Sequence, residues 1–80
     1  MLDEFKTQKK VVGLKQTQRA VSEGIAITVY AAKDADVRVL APIIKACEAS
    51  NIKVIYIDTM QQLGQSAGID VGAALAAIIK

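Results

Sequence analysis

The sequence has no histidine and no tryptophan, a single cysteine, a single proline, and only one phenylalanine and two tyrosines among its 80 residues. Without imidazole, every catalytic triad that relies on histidine is excluded, and with it the usual structural zinc sites. A single cysteine likewise excludes an internal disulfide and Cys-X-X-Cys redox chemistry. Cys47 follows Ile43 and Ile44 at helical spacing, which marks it as a core or boundary residue rather than a reactive thiol. Long hydrophobic runs are also missing. The longest nearly apolar stretch, Val71 to Ile79, is far too short to cross a bilayer. Met1 is followed by Leu2, Asp3 and Glu4, which lacks the basic-then-apolar order of a secretory leader. The expectation is a soluble cytoplasmic protein with no cofactor and no membrane partner.

What the chain does have is aliphatic bulk. It is 52% hydrophobic, mostly Ala, Val and Ile, so its interior must be built from small branched side chains packed on a sheet. Eighty residues allow one domain and one core. The composition suits a layered α/β sandwich. Net charge is only +2, but it is unevenly spread. Lys6, Lys9, Lys10, Lys15 and Arg19 fall in one acid-free segment, whereas Lys33, Arg38, Lys45, Lys53 and Lys80 share the rest with all 8 acids. A basic N-terminal edge fits a polyanion binder, and equally an ordinary solvated face.

Periodicity and punctuation set out the elements. The spacing predicts a short helix over Asp3 to Gln8, a strand at Lys10 to Val12, and a helix from Leu14 to Glu23 closed by Gly24. Ile25 to Ala32 is β-branched with no helical period, as in a strand buried on both faces. Asp34 and Asp36 offer oxygens to cap the next helix, which reaches about Ser50 and contains Pro42. A kink, or a restart of the helix at Pro42, is expected. After Asn51, Ile52 to Ile57 reads as a second buried strand, Thr59 to Ala67 as a helix stopped by Gly68, and Ile69 to Gly72 as a loop. Ala73 to Ile79 reads as a last strand. Helices alternating with strands favour a parallel or mixed sheet covered on both faces.

Two segments carry chemistry. Gly13 stands at a strand-to-helix turn, where a residue without Cβ admits a phosphate backbone and the helix start offers free N–H groups. Lys15, Gln16 and Arg19 follow at spacings that let them share a face, with Leu14 and Val21 turned inward. An ordinary polar-faced helix would look the same. In the second segment, Gly64, Gly68 and Gly72 recur every fourth residue around Ile69, Asp70 and Val71. That spacing fits a loop whose exposed Ile69 and Val71 meet an unstacked base, close helix packing, or a phosphate cradle, although no P-loop Lys-Ser or Lys-Thr follows. Plain core positions for Ile69 and Val71 fit too. Asp34, Asp36, Asp58 and Asp70 all sit at element boundaries, where capping explains them better than catalysis does.

Taken together, Gly13 to Arg19, Ala31 to Asp36 and Leu63 to Ala74 resemble the L-seven-Ae family of kink-turn RNA-binding and ribosomal proteins, in particular its short bacterial members of the YbxF type. The resemblance runs from about Lys10 to Ile79. It implies a three-layer α/β/α sandwich with a four-stranded mixed sheet, and as target a duplex bent at an internal loop with tandem sheared G·A pairs. The family's Gly-X-Asn-Glu-X-X-Lys stretch is matched by Gly13, Lys15, Gln16 and Arg19, with Leu14 between them. Gln16 keeps an acceptor oxygen but loses the charge, and Lys15 only donates, so the resemblance implies a shift toward electrostatics and a steeper salt dependence. Ile69, Asp70 and Val71 match the apolar loop that packs on a flipped-out nucleotide, and Lys33 a position near the bound backbone. Gly72 stands where many relatives have another residue, which implies a looser loop that costs more to order. The resulting expectation is a monomeric, non-enzymatic RNA binder that selects the kinked form of a structured RNA in a ribonucleoprotein. A protein-interaction scaffold and a small nucleotide-binding regulator remain as alternatives.

Overall fold

Gly24, Asn51 and Gly68 break the chain with positive φ values of 73°, 58° and 83°, and the elements fall between these breaks. The computed structural model describes residues 9–80. The helix expected over Asp3 to Gln8 lies outside them. The elements are β1 (Lys10–Val12), α1 (Leu14–Ser22), β2 (Ala26–Ala32), α2 (Val37–Ala49), β3 (Lys53–Ile57), α3 (Met60–Ala67) and β4 (Leu75–Ile79). Each helix start has its own chemistry. Gly13 precedes α1 with φ 105° and offers no side-chain cap. Asp36 caps α2 by accepting from the Arg38 N–H at 2.9 Å, and Thr59 caps α3 by accepting from the Gln62 N–H at 3.0 Å.

The sheet has the order β1-β4-β2-β3. β4 runs antiparallel to both β1 and β2, while β3 is parallel to β2. Three strands therefore point one way and β4 alone is reversed. On one face α1 and α2 bring Ala20, Val21, Leu40, Ile43 and Cys47 onto Val29, Ala31, Leu75 and Ala77. On the other, Leu63 of α3 packs with Tyr30, Ala32, Ala76 and Ile78. The result is a three-layer α/β/α sandwich on a four-stranded mixed sheet. Alanines on both sheet faces let the helices sit close, which is where the small-residue composition goes.

Several expectations change. α2 runs unbroken through Pro42, with no restart there. Pro42 and Arg38, whose carbonyl loses its usual N–H partner, are both exposed. β2 is not buried along its whole length, because a register irregularity against β4 between Ala26 and Thr28 leaves Ile27 exposed. β3 is an edge strand, and Lys53 and Tyr56 on it are exposed rather than buried. Leu14 is 39% exposed and does not enter the core as expected. Cys47 is fully buried, and burial pushes its thiol up, as an inert core residue requires. Among the described residues, no helix is long and apolar enough to cross a membrane, and no group of side chains could hold a metal ion.

Candidate nucleic-acid interface

Because β1, β2 and β3 all point the same way and β4 starts where they finish, their connecting loops share one rim of the sheet. Backbone hydrogen bonds join the loops across it. The Gly13 N–H donates to the Leu75 carbonyl at 2.8 Å, that of Ala32 to Ala74 at 2.9 Å, and that of Lys33 to Ile57 at 2.8 Å. The start of α1, the loop before β4 and the Lys33 turn are thus neighbours, although they lie far apart in sequence. From β1 to β2 is two strand spacings, about 10 Å.

Gly13 needs its glycine for the positive φ rather than for space, since a Cβ there would meet nothing within 4 Å among the described residues. That opening lets another backbone approach. The first intrahelical bond of α1 runs from the Thr17 N–H to the Gly13 carbonyl, at 3.0 Å. The N–H groups of Leu14, Lys15 and Gln16 therefore have no acceptor within the helix, and they carry the positive end of its dipole.

Lys15, Gln16 and Arg19 are all exposed on α1, within the arc of one helix face that their spacing allows. Gln16 and Arg19 line a shallow cleft of about 380 Å³ with Val11, Ala20, Glu23 and Ile25, and Lys15 is not among its lining residues. Arg19 is held by Glu23, Nε to Oε2 at 3.4 Å, and both side chains are well exposed. This pair is worth little in water and yields readily to a phosphate. Lys33 at the far side of the rim pairs with Asp58 at 3.3 Å.

The apolar loop divides its residues. Ile69 is half-buried and packs under α3, Asp70 is exposed, and Val71 is 69% exposed. Leu14 and Val71 are thus two large exposed hydrophobic side chains on one rim, beside N–H groups that have no acceptor within their own helix. The glycines around the loop stand at close backbone contacts and at a helix end. A Cβ on Gly64 would run into the Val71 carbonyl, one on Gly72 would come within 3.1 Å of the Met60 Cβ, and Gly68 supplies the left-handed end of α3. Gly72 thus sits in close contact with Met60, and Gly64 with the Val71 carbonyl.

Asp34 also departs from expectation. It caps α3 rather than α2, accepting at Oδ1 from the Met60 N–H at 2.8 Å. Sequence reasoning did not see this role because donor and acceptor are 26 residues apart. The four-residue glycine spacing was the visible signal for the seating of the loop, and close packing is the alternative it obeys.

Comparison with known proteins agrees with this geometry. An RNA-binding protein of Caldanaerobacter subterraneus subsp. tengcongensis is 55% identical over 69 residues, covering 86% of this chain and 84% of its own. RNA-binding protein YbxF of Geobacillus stearothermophilus is 42% identical over 72 residues, 90% of this chain and 88% of its own. Among solved structures, the 15.5kD RNA binding protein of Giardia lamblia superposes with a TM-score of 0.83 at 26% identity, over 89% of this chain and 60% of the longer one. The model of the Ribosomal protein L7Ae/L30e/S12e/Gadd45 family matches residues 2–80, and this chain belongs to that family.

Proposed function

We propose that the chain is a non-enzymatic RNA-binding protein that recognises kink-turn RNA, a duplex bent at an internal loop with sheared G·A pairs, and acts in a cytoplasmic ribonucleoprotein. The observation that carries this reading is the hydrogen bond from Gly13 to Leu75, which fastens a donor-rich helix start beside the loop bearing Val71. A straight duplex presents one groove and one backbone to such a rim. A sharply bent one presents a widened groove and an unstacked base together. In this reading Gly13 and Leu14 lie against the groove, Lys15, Gln16 and Arg19 meet phosphates and base edges, Lys33 neutralises a phosphate, and Ile69, Asp70 and Val71 form the platform for the displaced base. The names of the relatives support RNA as the ligand. One chain carries both contacts, so a monomer suffices.

The acids leave little room for catalysis, since Asp34 and Asp36 cap helices and Asp58 pairs with Lys33. The work is instead a shift of population. Turning an RNA from mostly open to mostly kinked takes about 5 kcal/mol of differential binding. A few charge-assisted bonds and one stacked or buried base are of that order. Gel-shift titration tests this. Lys15→Ala and Arg19→Ala are each expected to weaken binding to a kinked RNA by about 1–3 kcal/mol with an unchanged circular-dichroism spectrum. Equal affinity of the unmodified chain for kinked and straight duplexes would sink the reading.

A further inference from the structure

Val71 is anchored through its own backbone. Its carbonyl lies against α3 at Gly64, where a Cβ would collide with it, while the side chain is exposed. The Ile69 N–H donates to the Gly64 carbonyl at 3.0 Å, and that of Ala73 to the Met60 carbonyl at 3.0 Å. Both ends of the loop are thus tied to α3. Gly72 completes the seat by lying against Met60. Met60 is in turn tied by its N–H to the Asp34 carboxylate, in the turn that follows β2. A continuous path therefore runs from that turn through the first residue of α3 to the apolar loop.

We infer that Asp34 and Gly64 are positioning residues for RNA recognition: neither touches the ligand, and together they fix Val71 at the distance from Gly13 that a kinked RNA spans. This rests on the proposed RNA reading and adds to it the residues on which selectivity for the bend depends. Displacing a recognition group by about 1 Å is enough to cost a large factor in a site that works by geometry. Contacts of the Lys15 and Lys33 type tolerate such displacement, because they follow charge rather than shape.

The test titrates the whole chain, Gly64→Ala and Asp34→Ala with a kinked RNA and with a straight duplex of the same composition. The preference for the kinked RNA is expected to narrow about tenfold or more in each variant, while straight-duplex affinity stays within about twofold. Asp34→Asn keeps an acceptor oxygen for Met60 and is expected to restore most of the preference. In the free protein, amide exchange at Ile69 and Ala73 is expected to quicken in both alanine variants, a readout that needs no RNA. Should Gly64→Ala fail to fold, the two Asp34 variants carry the comparison. An intact preference, an equal loss on both RNAs, or unchanged exchange would each overturn the inference. A wild-type chain indifferent to the bend overturns the functional reading itself, and it does so before any variant is compared.

Discussion

Thr17 is fully buried, and its Oγ1 has no hydrogen-bond partner among the described residues. A buried hydroxyl without a partner costs about 1–3 kcal/mol, and valine has the same shape without it. Thr17→Val is therefore expected to stabilise the fold by about 1 kcal/mol, raising the melting temperature by roughly 4–8 °C. A thermal scan showing no rise would mean the hydroxyl is satisfied after all. Other residues were only half legible. Cys47 showed its place through helical spacing alone, because burial of a small apolar side chain is a local pattern. Lys15, Gln16 and Arg19 showed themselves as exposed side chains of one helix arc, because three- and four-residue spacings keep them together. Leu14 looked like a core residue and is instead exposed at the first position of α1.

At the scale of elements, α2 offers a pH-dependent start. The Arg38 guanidinium, and then the Arg38 N–H, hold the Asp36 carboxyl below the usual carboxylate range. A folded-state value below the unfolded one means that the cap is fully present above the ordinary carboxylate range and is lost as pH falls through the lower, folded value. NMR titration is expected to give Asp36 a midpoint below that of an aspartate in an unstructured peptide, with the first turn of α2 fraying at the same pH. A midpoint at or above the peptide value would show that the Arg38 contact does not persist in solution. Helix and strand identities were readable because Gly24, Asn51 and Gly68 punctuate them with left-handed backbone. The edge position of β3 was not readable. Its sequence is as apolar as that of β2, and only the return of β4 between β1 and β2 decides which strand is left outside.

For the whole molecule, the interface is a property of topology. The segments of the candidate site, the start of α1, the Lys33 turn and the 69–74 loop, are spread along the chain and come together at the rim. The likeness of Gly13 to Arg19 and Leu63 to Ala74 to a known family was visible in the sequence, but their adjacency depends on hydrogen bonds from Gly13 and Ala32 to Leu75 and Ala74. No local pattern encodes those bonds.

β4 follows every other element in sequence yet lies second in the sheet, wedged between β1 and β2. Without it, β1 has no neighbour among the described strands and the Gly13 N–H loses its acceptor at Leu75. RNA affinity should accordingly arrive in a single step: a chain cut before Leu75 is expected to show none of the selective binding, as measured by gel shift, even with every proposed contact residue present. A ligand gripped this way acts as an inspector of finished goods, since it can be held only by a molecule that has already closed its last seam.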